Sequence, residues 1–123
     1  MAINLGTAKS ANIGAPAVGL GGYTFSFAQA KVSRSDRKFF TEQLALLLET
    51  GTSLVDALEL IAAQASNTAL QSAVAQIAVA VSEGASFAKA LEAHPEAFPS
   101  TYATLIAASE QGGYMDRVLR HLL

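Results

Sequence analysis

From Ser35 onward, hydrophobic residues recur every three or four positions, and each run is closed by a capping or breaking residue. That spacing is the period of amphipathic α-helices. Helix one is expected to open on Ser35 as N-cap, with Asp36 in its first turn and Phe40, Leu44, Leu47 and Leu48 on one face. Gly51 is placed to end it, because glycine enters the left-handed conformation past a helix end at little cost. Ser53 and Asp56 resemble a capping box for helix two, whose stripe is Leu54, Leu58, Ile61 and Ala65. Asn67 is the expected cap of helix three, with Leu70, Val74, Ile77 and Val81 on one face and Gly84 at its end. Ser86 opens a short fourth helix carrying Phe87, Ala90 and Leu91, stopped at His94-Pro95. Phe98-Pro99-Ser100 leads into helix five, with Tyr102, Leu105, Ile106 and Ser109 on one side. Gly112-Gly113 break that helix, and helix six presents Met115, Val118, Leu119 and Leu122. Six amphipathic helices with short loops predict an all-α antiparallel bundle.

Residues 1–32 lack this pattern. They hold five of the nine glycines, two lysines and no acid, whereas residues 33–123 carry six basic and ten acidic side chains. We expect a flexible Gly/Ala/Ser-rich leader over 1–32 and one helical domain over 33–123, since small residues bury too little apolar surface to offset ordering entropy. Tyr23-Thr-Phe25-Ser-Phe27 alternates like a strand but has no evident partner strand. Composition strengthens the helical expectation: alanine supplies 25 of the 123 residues and aromatics only 7%.

The first and last helical hairpins also correspond at an offset of 61 residues. Leu44, Glu49, Gly51, Leu54 and Leu58 fall opposite Leu105, Glu110, Gly112, Met115 and Leu119. This is either an internal repeat or the pattern on which any helix–glycine–helix hairpin converges.

Charge and residue inventory narrow the chemistry. The net charge is −2, and no basic stripe marks a nucleic-acid binder. With no cysteine, disulfides, thiolate zinc sites and cysteine nucleophiles are excluded. No run approaches the ~20 apolar residues of a membrane span, and the first ten residues lack a signal peptide's pattern, so the chain as written is expected to be soluble. His94 is best read as a cap at a helix end and His121 as a surface residue. His94-Pro95-Glu96 contains the His-x-Glu of zinc deaminases but not the cysteines that site also needs. Gly19-Leu-Gly21-Gly22 lacks the strand-before, helix-after setting of a dinucleotide loop. No catalytic residue, cofactor site or metal centre is expected.

Glu49 and Glu110 stand out because each lies near a helix C-terminus, where the helix dipole disfavours negative charge. Each invites a partner: an arginine, a cation or a backbone donor across the hairpin. A merely solvated glutamate is the simpler reading. Arg117 and Arg120 flank the apolar stripe of helix six, but two charges do not make a membrane patch. Val55, Leu60 and Val79 lie off the main stripes and are expected in the core, with a dimer seam or partner groove as alternatives.

The order of these motifs resembles the type II secretion system F domain, of the GspF/PilC family of inner-membrane platform proteins. Phe40-Thr-Glu-Gln43-Leu44, Leu47-Leu48, Gly51 and Leu54-Val-Asp-Ala57-Leu58 resemble its opening. Gly84-Ala-Ser86 with Ala90-Leu91, then Phe98-Pro99-x-x-Tyr102, then Glu110-x-Gly112-Gly113 with Asp116 and Leu119, resemble its later segments in order. Met115 stands where the family often has leucine. The resemblance spans roughly residues 32–123 and implies the first cytoplasmic domain of a multi-pass protein on the cytoplasmic face of the bacterial inner membrane. It implies a non-catalytic scaffold coupling a cytoplasmic assembly ATPase to pilin or pseudopilin polymerisation, in type II secretion or type IV pilus assembly. Implied partners are that ATPase, other inner-membrane platform proteins and pilin or pseudopilin, with a homodimer a further candidate and no nucleic acid. A free-standing soluble helical adaptor would share the same helices.

Overall fold

The computed structural model describes residues 31–123. The expectations for the leader up to Ala30, including the Tyr23–Phe27 alternation and the Gly19–Gly22 run, lie outside the described residues. Among the described residues the fold is all helical: α1 (Arg34–Glu49), α2 (Leu54–Gln64), α3 (Thr68–Ser82), α4 (Phe87–Glu92), α5 (Ser100–Gly112) and α6 (Met115–His121). Each helix packs on the next, and α6 returns to α1, so the six close a ring around one core. The core is built on Phe40, Leu44, Leu58, Ile61, Leu70, Val74, Ile77, Phe87, Leu91, Phe98, Ile106 and Leu119, all less than 2% exposed. Phe98 packs its ring tilted against two neighbours, with ring centroids 4.9 Å from Phe40 and 5.3 Å from Tyr102. No helix among the described residues is long and apolar enough to cross a membrane.

The capping residues place the helices, with one correction. The N-cap of α1 is Ser33, not Ser35. Asp36 decides this: its backbone N–H donates to Ser33 Oγ (3.1 Å) while its carboxylate accepts from the Ser33 N–H (2.9 Å), a reciprocal box that needs a spacing of three. The same carboxylate accepts from Asn67 Nδ2 (2.8 Å), and Asn67 Oδ1 caps α3 through the Leu70 N–H (3.0 Å). Two helix starts are thus tied through one acid. These bonds, led by that from the Ser33 backbone, hold the Asp36 carboxyl below its ordinary pKa. Ser53 and Ser86 cap α2 and α4. Val32, assigned to the leader by composition, instead packs into the core.

Three further expectations fail on burial. Leu105, assigned to the buried face of α5, is 46% exposed, and Leu60 and Val79 are 46% and 54% exposed. On α5 the inward positions belong to Tyr102, Ala103, Ile106 and Ser109; the small Ala103 lets the helix lie close and turns Leu105 outward. On α2 and α3, alanines fill the corresponding inward places (Ala57, Ala73, Ala78), so neither Leu60 nor Val79 is needed there. Val55 is half-buried.

Candidate functional site

The residues singled out by sequence gather at two helix–glycine–helix corners, α1–α2 and α5–α6. Glu49, the last residue of α1, is exposed and receives two bonds from Arg120 of α6: Nε to Oε2 at 2.7 Å and Nη2 to Oε1 at 2.6 Å. A fork of this kind is the strong geometry for an arginine–carboxylate pair. Its hydrogen bonds, and then its charge, hold the Glu49 carboxyl below its ordinary pKa and raise that of Arg120. The pair links the end of α1 to α6 and so helps close the ring.

Glu110 works differently. It is half-buried near the end of α5, and its carboxylate accepts from the backbone N–H of Phe87 (2.8 Å) and of Ala88 (3.1 Å). These are the first two residues of α4, whose N–H groups have no partner within the helix. Ser86 Oγ accepts from the third, Lys89 N–H, at 3.1 Å. A six-residue helix is too short to stand alone in water, and here its start is held by a carboxylate from another helix. The charge also lies at the positive end of the α4 dipole, which offsets its unfavourable place on α5. Neither glutamate is merely solvated, so that simpler reading is overturned. Arg120 and the α4 start are the partners that sequence reasoning missed. The only advance sign of them was an acid at each helix C-terminus.

The glycines also part company. Gly51 takes φ +93°, as expected past the end of α1. Its counterpart in the 61-residue register, Gly112, remains the last residue of α5, and Gly113 takes the left-handed turn at φ +73°. A side chain at Gly112 would instead run into the Tyr114 ring. Gly84, at φ +110°, turns the chain out of α3. An open depression of about 410 Å³ lies between the corners, lined by Leu48, Leu54, Glu110, Gly113, Met115 and Asp116, with Ser109.

The other motif residues are structural. Phe40, Leu44, Leu58, Phe98 and Leu119 are core, Gln43 is half-buried, and Pro99 is the exposed residue preceding α5. Thr41 donates its one hydroxyl proton to the Arg37 carbonyl (2.8 Å), so Tyr102 is the donor in the 2.7 Å bond to Thr41 Oγ1. Burial pushes the Tyr102 phenol up to about 12. Arg37 ties α1 to the loop before α5 by donating to the Ala97 carbonyl at 3.0 Å. His94 is largely buried at the end of α4, with Nδ1 3.7 Å from Glu96 Oε2, while His121 is exposed. Among the described residues no three His, Asp or Glu side chains are grouped to hold a metal ion.

Comparison with known proteins matches the same region. The family model described as type II secretion system (T2SS), protein F, matches residues 40–123. The chain is 36% identical over 91 residues to the type IV pilus assembly protein PilC of Myxococcus xanthus, covering 74% of this chain and 22% of that protein. It is 36% identical over 90 residues to the type II secretion system protein F of Aeromonas hydrophila (73% and 23%), and 36% over 101 residues to that of Pseudomonas aeruginosa (82% and 25%). The chain thus spans a quarter or less of the length of these relatives.

Proposed function

The chain belongs to the type II secretion system protein F family, and on that premise we propose that residues 33–123 are a cytoplasmic scaffold domain of a membrane platform protein. In this reading the domain performs no catalysis. It couples a cytoplasmic assembly ATPase to the polymerisation of pilin or pseudopilin at the bacterial inner membrane, and the residues ahead of Val32 form its leader. The observation that carries the reading is the match across nearly the whole helical body to proteins named for secretion and for pilus assembly alike. Support comes from how the polar side chains are used: Glu49, Glu110, Asp36, Thr41 and Tyr102 all bind other parts of the same fold. Such a body keeps its shape while force passes through it.

Deleting the codons for residues 40–123 in frame from the chromosomal gene tests this. We expect loss of piliation or of protein secretion, with the level of the assembly ATPase unchanged. Normal piliation and secretion in the deletion strain would overturn the reading.

A further inference from the structure

The sequence alone shows too few cations on α6 for a membrane patch, but α1 carries a separate row of three. Arg34, Arg37 and Lys38 sit at spacings of three and four along the first turns of α1, which puts them on one face. That face borders a cleft of about 240 Å³ whose other wall carries Leu122 and Leu123. The buried Thr41–Tyr102 pair completes the lining. Arg34 and Lys38 are exposed, and among the described residues none of the three cations has an ion-pair partner within 4.0 Å. Arg37 spends one donor on the Ala97 carbonyl. The nearest acid in sequence, Asp36, is turned to the other side of α1, bound to Ser33 and Asn67. The tyrosine is un-ionised at neutral pH, since burial raises its pKa. The body as a whole carries more acids than bases, so this row of cations is a local exception.

A row of unpaired cations beside an exposed leucine, Leu123, with the half-buried Leu122 next to it, matches a surface that offers phosphates and, just beneath them, hydrocarbon. We propose that this end of the domain rests on an anionic phospholipid surface. Arg34, Arg37 and Lys38 meet lipid phosphates there, and Leu123 reaches the boundary between headgroups and acyl chains. Long cationic side chains suit that depth, because their stems lie along apolar surface while the charged ends stay among the headgroups. Glu42, exposed one turn on from Lys38, is the acid nearest the row; acids farther off oppose the contact little beyond a screening length of about 8 Å at physiological salt. The contact deepens the membrane placement proposed above and rests on it. The two are tested separately, since disc binding by this chain and secretion by the deletion strain are independent readouts.

The test is an NMR titration of the ¹⁵N-labelled 123-residue chain with lipid nanodiscs, which detects weak and residue-specific contact. Discs of phosphatidylcholine with phosphatidylglycerol should shift the amides of residues 34–41 and 120–123, and discs of phosphatidylcholine alone should not. Three cations near an anionic surface each contribute about fivefold, so Arg34→Gln with Lys38→Gln should weaken binding about 25-fold. Lys89→Gln, on α4, should leave binding unchanged. Should the double variant lose its fold, Lys38→Gln alone carries the test with about a fivefold loss. Equal shifts from both disc types, or undiminished binding by the folded variant, would overturn the proposal. So would the same shifts from inorganic phosphate or from polyglutamate in place of lipid.

Discussion

The two helix–glycine–helix corners read alike in sequence and serve different ends in the structure. At the first, Glu49 reaches outward to Arg120 across the closing seam of the ring, on the exposed surface. At the second, Glu110 turns inward and stands in for the missing first turn of bonds on α4. The glycine turn slips by one residue between them, from Gly51 to Gly113 rather than Gly112. The leucines differ most: Leu44 is fully buried and Leu105 is 46% exposed. Leu58 and Leu119, each fully buried, keep the same role in both, as do Leu54 and Met115, each half-buried against the core. A shared pattern of leucine, glutamate and glycine therefore specifies a hairpin, while the partners reached by its polar ends are set by the helices that surround it.

The sharpest way to break this comparison is at the leucines. Leu44→Ala should cost about 3 kcal/mol, as large-to-small changes in a closed core do, whereas Leu105→Ala should fall within about 0.5 kcal/mol of wild type. Leu58→Ala and Leu119→Ala should match Leu44→Ala rather than Leu105→Ala. Chemical denaturation of the four variants checks all these values, and similar costs for Leu44 and Leu105 would restore the equivalence denied here.

Alkaline pH probes the one hydrogen bond that joins equivalent positions, Thr41 and Tyr102. The phenol is raised from 10.0 to about 12 in the folded chain, so the unfolded chain ionises first. Its contribution is complete below pH 10 and lost as pH climbs towards 12, by about 2–3 kcal/mol. Tyr102→Phe should flatten that part of the stability–pH curve.

At the polar ends, Glu110→Ala leaves two helix-start donors unpaired and should cost about 2 kcal/mol. The turns come next. Gly51→Ala forces a side chain into positive φ and should cost about 1–2 kcal/mol. Gly112→Ala needs only the Tyr114 ring to swing aside and gains alanine's helix preference, so it should cost less than Gly51→Ala. Thermal melts of this pair rank them directly.

Glu49→Gln should show the smallest effect, one that shrinks further in high salt because the pair is exposed. The Glu49 carboxyl lies below its ordinary pKa, so the pair's contribution is present above the usual carboxylate range. It disappears as pH falls through the lowered value. An acid titration of stability in which wild type and Glu49→Gln run parallel would remove the clasp from the account.

Periodicity and punctuation made the six helices legible: α1 to α4 each start on a serine or asparagine cap, α5 follows Pro99, and three of the six ends carry a glycine. Two serines before Asp36 left the start of α1 ambiguous, and only the reciprocal bond from Asp36 selects Ser33. Leucine alone did not reveal depth, because alanine-rich helices bury their small residues and can turn a leucine such as Leu105 outward. Of the site, the sequence reading could flag that Glu49 and Glu110 sit against the dipole. It could not say which donor each would meet, since Arg120 lies 71 residues from Glu49, and Phe87 lies 23 from Glu110. The cation row on α1 was hidden for the same reason, as its cleft is completed by the far end of the chain.

The difference between the two glutamates is tested most directly by amide hydrogen exchange at Phe87 and Ala88. With Glu110→Ala these two amides should exchange at least about tenfold faster, the equivalent of losing one such bond. With Glu49→Gln they should exchange as in wild type. Unchanged protection in Glu110→Ala, or equal loss in both variants, would contradict the assignment of Glu110 as the cap that holds α4.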